Sequence, residues 1–98
     1  MAGQNIIIAG NMKQYEYFIK HYKILREYFR YVNDIRQVDG IRLELVVCTG
    51  TYWENPIWHD QRQFDELKVR IRQFRAKLIY EKEIDWEYLK EKGLIDEN

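Results

Sequence analysis

The apolar positions of the chain form three short runs rich in β-branched and aromatic residues, each stopped by glycine or by small polar residues. The runs are residues 5–9 (NIIIA), 28–32 (YFRYV) and 43–48 (LELVVC). Continuous apolar runs of this length favour strands that are buried on both faces, as in a parallel sheet. The pattern therefore predicts three strands, with turns directly after each run.

Apolar residues at spacings of three and four predict the helices. Residues 12–23 carry such a stripe, and Asn11 suits the N-cap of that helix. A long helix is predicted after Pro56, which suits a first helical turn. Its apolar stripe consists of Phe64, Leu67, Ile71, Phe74 and Leu78. Residues 77–81 would also suit a fourth strand, but no turn signal precedes them, so we prefer the helix.

The order of the elements is strand, helix, strand, short helical turn, strand and helix. It predicts the α/β class, with a small three-stranded parallel Rossmann-like sheet (βαβαβα). We expect residues 1–81 to form this domain and residues 82–98 to form a helical C-terminal tail that packs on the domain or on a partner subunit. A three-stranded sheet has two open edges and a small core, so we also expect a homo-oligomer.

Charge and cysteine content argue against several classes of protein. Lysine plus arginine and aspartate plus glutamate number 16 each, so the formal net charge is zero, whereas a nucleic-acid binder normally has a basic excess. The single cysteine, Cys48, excludes an internal disulfide, and His21 and His59 lie too far apart to suggest a metal site. We find no signal peptide and no apolar run of the roughly 20 residues that span a bilayer, so we expect a cytoplasmic protein without membrane contact. We also expect it to use no metal and no cofactor.

Glycine or amide side chains follow each predicted strand, at the edge where open α/β sheets bind ligands. Gly10 and Gly50 would let the backbone approach a ligand, and Asn11 and Lys13 begin a helix whose N-terminus suits an anion. The alternative is that both glycines only permit tight turns. Because no dinucleotide or Walker fingerprint is present, no cofactor follows from a motif.

The loop after the third strand combines flat and polar side chains. Tyr52 and Trp53 could stack on a nucleobase, or the indole could simply cover the end of the core. Thr49, Thr51 and Asn55 could contact ribose or phosphate. The full set of candidate ligand-binding residues is Gly10, Asn11, Lys13, Tyr31, Asn33, Thr49, Gly50, Thr51, Tyr52, Trp53 and Asn55.

Glu54 supports a second hypothesis, an N-glycosidase or transferase acting on nucleotides. Such enzymes on Rossmann-like folds use a glutamate near a strand-end loop, and Asp34 could supply a second acid. A lone loop carboxylate is more often a solvated surface group. A third hypothesis is a protein-interaction module that acts through the long helix and the tail.

The first two thirds of the chain resemble short Rossmann-like proteins of phages and their bacterial hosts. The resemblance rests on residues 6–11 (IIIAGN), 29–32 (FRYV) and 46–56 (VVCTGTYWENP). It implies a phage protein, and it allows an anti-defense role in which a nucleotide signal is sequestered. Our leading expectation is therefore non-catalytic binding of a nucleotide or a related phosphate-bearing small molecule at the carboxyl ends of the strands.

Overall fold

The computed structural model describes residues 3–96 as a mixed α/β fold with a four-stranded, all-parallel sheet. The strands are β1 (Gln4–Ile8), β2 (Phe29–Tyr31), β3 (Leu43–Cys48) and β4 (Lys77–Tyr80). The α-helices are α1 (Met12–His21), α2 (Pro56–His59), α3 (Gln61–Phe74) and α4 (Trp86–Glu91). Short 3₁₀ turns cover Arg26–Tyr28, Ile35–Val38, Tyr52–Glu54 and Glu81–Glu83.

The prediction of three strands is wrong, because β4 replaces the expected end of the long helix. The predicted long helix is also divided at Asp60, whose side chain accepts a hydrogen bond from the Arg62 amide (3.0 Å) and so begins α3 as a separate helix after α2. Helix α3 ends at Phe74, where Arg75 adopts a left-handed conformation with φ of 55°. Glycine normally occupies this position, so the arginine gives no turn signal in the sequence. Leu78 and Ile79 then pair in parallel with Val46 and Val47 of β3.

The strand order is β2-β1-β3-β4, so the chain leaves β1 toward one side and later returns to its other side. This order differs from the 3-2-1-4 order of the Rossmann fold and corresponds to the other doubly wound order, 2-1-3-4. In both arrangements the topological switch point marks the crevice where ligands bind. In this chain it lies between the carboxyl ends of β1 and β3.

Helices cover both faces of the sheet, which explains why the two central strands, β1 and β3, are apolar on both sides. On β1, Ile7 packs with the buried residues of α1 and α4, whereas Ile6 and Ile8 pack with those of α2 and α3. The N-caps agree with the sequence: Asn11 Oδ1 accepts a hydrogen bond from the Gln14 amide (3.0 Å) at the start of α1.

The segment after residue 81 packs against the α1 face of the domain. Leu89 and Leu94 belong to its core, and the Leu25 amide donates to the Leu94 carbonyl (2.9 Å). Ile24 and Ile95 form an antiparallel bridge beside this hydrogen bond. The last two residues of the predicted tail, 97 and 98, lie outside the described residues. None of the helices within residues 3–96 is long and apolar enough to cross a membrane.

Candidate functional site

The tips after β1 and β3 lie side by side, and the Gln14 side chain joins them. Gln14 Oε1 accepts hydrogen bonds from the amides of Gly10 (2.8 Å) and Thr51 (2.9 Å), and Gln14 Nε2 donates to Thr51 Oγ1 (2.8 Å). A Cβ on Gly10 would collide with Thr51, and one on Gly50, whose φ is +59°, would collide with Gln14. The crevice at the switch point is therefore filled by a glutamine that the sequence analysis did not single out.

An open hollow of about 510 Å³ lies next to the filled crevice, at the carboxyl ends of β3 and β4. We call it the aromatic hollow. Its lining residues are Cys48, Thr49, Gly50, Tyr52, Trp53, Tyr80, Glu81, Lys82 and Glu83. The Tyr52 ring is inclined by 80° to Trp53 and by 47° to Tyr80, with centroids 5.2 and 5.5 Å apart. Trp53 remains 54% exposed, so the indole forms an open wall of the hollow and does not plug it.

A second hollow of about 370 Å³ adjoins the first at the N-terminus of α1, and we call it the lysine hollow. Its lining residues are Asn11, Lys13, Gln14, Tyr17, Thr49, Gly50, Thr51 and Glu81. Because Thr49, Gly50 and Glu81 line both hollows, the two lie next to each other at the carboxyl edge of β1, β3 and β4, and we call the pair the groove.

Glu81 lies where the two hollows meet. The Thr49 hydroxyl donates to its Oε1, and the Tyr22 hydroxyl donates to its Oε2 (3.3 Å). Burial, followed by the neighbouring Glu81 charge, raises the pKa of Tyr22. The sequence analysis missed Glu81 because residues 77–81 were assigned to a helix; recognising β4 would have placed Glu81 at a strand end.

Cys48 and Tyr80 lie at the strand ends that line the aromatic hollow. Cys48 is 1% exposed, and burial raises the pKa of its thiol to about 12. Burial also raises the pKa of the Tyr80 hydroxyl. Both groups are therefore neutral near pH 7, and Cys48 contributes a small apolar surface to this part of the groove.

Asn55 lies beneath the surface and is fully buried. Its Nδ2 donates to the carbonyls of Ala9 (2.8 Å) and Val32 (2.9 Å), and its Oδ1 accepts from the Ile57 amide (2.9 Å). These bonds fasten the ends of β1 and β2 to the start of α2. Asn55 has no face open to a ligand in this structure, so its role is to position the strand ends.

Two other predicted ligand contacts, Tyr31 and Asn33, line neither hollow. Tyr31 packs against the Tyr15 ring, with centroids 5.6 Å apart. The Asn33 amide donates to Gln37 Oε1 (2.7 Å) in the turn after β2. Both lie on the β2 side of the switch point, which the strand order separates from β4.

The structure does not bring the two proposed catalytic acids together in one hollow. Glu54 is exposed on the turn after β3 and lines neither the aromatic nor the lysine hollow. Asp34 lines a different hollow of about 320 Å³, together with Arg36. Hydrogen bonds from the Arg36 side chain and amide lower the pKa of Asp34 to about 2. The carboxylates that do line the groove are Glu81 and Glu83.

Within the described residues, no group of three or more histidine, cysteine, aspartate or glutamate side chains is placed to hold a metal ion. Comparison of the chain with protein-family models, with curated proteins and with solved structures gives no match.

Proposed function

We propose that this chain binds a nucleotide or a related phosphate-bearing small molecule, without turning it over, in the groove along the carboxyl edge of the sheet. The base stacks in the aromatic hollow against Trp53 and Tyr52. The phosphate lies in the lysine hollow, beside Lys13 and the start of α1. A binder of this kind acts by holding its ligand, which is consistent with sequestration of a nucleotide signal.

The observation that carries the proposal is the exposed Trp53 ring beside a hollow of about 510 Å³. Small-molecule sites are typically hollows of about 300 to 1,000 Å³, lined by aromatic and apolar groups with a few polar ones. A large aromatic side chain that is half exposed at a strand-end hollow is available to stack on a ligand. The hydroxyl of Thr49 and the carboxylate of Glu81 supply the polar groups.

The two hollows differ in charge, and this difference orients the ligand. Glu81 and Glu83 line the aromatic hollow and outnumber its one cation, Lys82, so a phosphate group would be repelled there. The lysine hollow balances one cation, Lys13, against the shared Glu81, and the positive end of α1 adds to its attraction for an anion. The Gly10 and Thr51 amides already donate hydrogen bonds to Gln14 Oε1, so they are not available to the phosphate. The phosphate is therefore held by Lys13 and the first turn of α1.

Isothermal titration calorimetry with a nucleotide panel tests the proposal. The panel contains nucleoside mono- and diphosphates, cyclic nucleotides and ADP-ribose, with tetramethylammonium as a cation probe for an aromatic hollow rich in carboxylates. We expect a nucleotide to bind, and we expect Trp53→Ala to weaken its binding by about 1 to 3 kcal/mol through loss of stacking. Chromatography of the recovered ligand should show it unchanged.

Tyr28→Ala is the matched control, because Tyr28 is 51% exposed but precedes β2, at the opposite edge of the sheet. It should leave the affinity unchanged. Three results would contradict the proposed site. They are the absence of binding heat with every member of the panel, binding heat with tetramethylammonium alone, and an equal loss of affinity in the two variants. Release of a free base during incubation would favour the glycosidase hypothesis over simple binding.

A further inference from the structure

We propose that Glu81 recognises the ribose diol of the bound nucleotide, so that the groove selects ribonucleotides over their 2′-deoxy and 3′-deoxy counterparts. This inference rests on the proposed function, because it needs a base in the aromatic hollow and a phosphate in the lysine hollow. In this inference, contacts to the sugar decide which nucleotides the groove binds.

Glu81 lies between the proposed base-binding hollow and the proposed phosphate-binding hollow. Three residues line both hollows, and Glu81 is the charged one among them; the others are Thr49 and Gly50. In a nucleotide, the ribose lies between the base and the phosphate. A ligand that spans the two hollows therefore brings its sugar hydroxyls to the part of the groove where the Glu81 carboxylate lies.

The carboxylate is also held in place. Thr49 donates to one of its oxygens and Tyr22 donates to the other. Thr49 is 4% exposed, and the Tyr22 ring stacks on Trp86 with centroids 4.6 Å apart, so both donors are anchored by packing. A carboxylate that is fixed before the ligand arrives loses little conformational entropy on binding.

Glu81 keeps the capacity to accept further hydrogen bonds. A carboxylate has about four acceptor sites, and the two hydroxyls occupy two of them. No ion pair among residues 3–96 involves Glu81, so its charge is not neutralised by a lysine or arginine partner. Two vicinal hydroxyls fit this environment, because both can donate and neither carries a negative charge that the carboxylate would repel.

Calorimetry with matched ribo-, 2′-deoxy- and 3′-deoxynucleoside monophosphates tests the inference. Hydrogen bonds to a charged acceptor predict that wild-type protein binds the ribonucleotide about tenfold or more tightly than either deoxy form. Glu81→Gln replaces one carboxylate oxygen with an amide donor and should bring this ratio close to one. Glu83→Gln makes the same change of charge in the same hollow and should keep the ratio.

The outcomes separate this inference from the proposed function. Equal binding of ribo and deoxy forms to wild-type protein would overturn the role of Glu81 and leave nucleotide binding intact. No binding of either form would overturn both. An unchanged ratio in Glu81→Gln would also contradict the assignment, and circular dichroism would verify that this variant is folded. The wild-type comparison requires no variant, so it decides the question even if Glu81→Gln does not fold.

Discussion

Cys48 illustrates how its surroundings determine the chemistry of a single residue. It ends β3 and lines the aromatic hollow, where an exposed thiol could react with a ligand or with an oxidant. Burial excludes water from the sulfur, disfavours the thiolate and raises its pKa to about 12. Because the thiolate is the reactive form of cysteine, this residue contributes packing to the site and not nucleophilic chemistry.

We therefore predict that folded protein resists thiol reagents. With the pKa of Cys48 at about 12, the thiolate fraction at pH 8 is about one in ten thousand. A chromogenic disulfide reagent at pH 8 should react very slowly with native protein and rapidly in concentrated urea, where the pKa of the thiol returns to its usual value. Rapid stoichiometric labelling of the native protein would show that the thiol is accessible.

At the scale of elements, the Gln14 side chain ties α1 to the loop that follows β3. Its oxygen accepts from amides on both tips, and its nitrogen donates to Thr51, so two of the three hydrogen bonds cross the switch point. The small size of Gly10 and the positive φ of Gly50 make room for this contact. The clasp fills the crevice between β1 and β3, and the open space lies beside it, in the lysine hollow and the aromatic hollow.

Removal of this clasp should destabilise the fold. Gln14→Ala leaves the Gly10 and Thr51 amides without their acceptor, and we expect a loss of about 1 to 3 kcal/mol in the free energy of unfolding. Gln61→Ala is the control, since Gln61 is an exposed glutamine that bonds only within α3 (2.8 Å to Asp65), and it should change stability by less than about 0.5 kcal/mol. Urea unfolding measures the free energy of unfolding of both variants. If both lose equally little stability, water replaces the glutamine oxygen without cost and the clasp does not stabilise the fold.

At the scale of the whole molecule, the C-terminal segment completes one of the two cores. Leu89 and Leu94 pack with Phe18 and Ile19 of α1 and with Ile79 of β4 on the same face of the sheet. A domain of this size buries a limited apolar surface, so each buried leucine contributes a large part of the total stability. The segment is therefore part of the folded unit in this structure.

Leu89→Ala should consequently cost about 2 to 5 kcal/mol of unfolding free energy, because it leaves a cavity beneath α4. Val69→Ala, at a position 51% exposed on α3, is the control and should cost less than about 0.5 kcal/mol. Thermal and urea unfolding should both show the larger loss of stability for Leu89→Ala. A cost for Leu89→Ala no larger than that for Val69→Ala would mean that α4 does not pack on the domain in solution.

Local patterns in the sequence predicted much of the fold. The third run coincides with β3, Asn11 caps α1, and Pro56 begins α2, because burial on both faces, capping and a fixed proline φ act within a few residues. The prediction failed at Arg75, where a left-handed turn without glycine separates α3 from β4. One missed turn changed the number of strands and hid Glu81.

The sequence by itself determined the α/β class, three of the four strands and the starts of α1 and α2, and it directed the prediction of a site to the carboxyl edge. Only the tertiary structure decided the strand order, the closure of the first crevice by Gln14, the burial of Asn55 and the arrangement around Glu81. The reason is the range of the interactions. Hydrophobic periodicity shows which side of an element is buried, whereas Thr49 and Tyr22 lie 32 and 59 residues before Glu81 and meet it only once the strands are ordered.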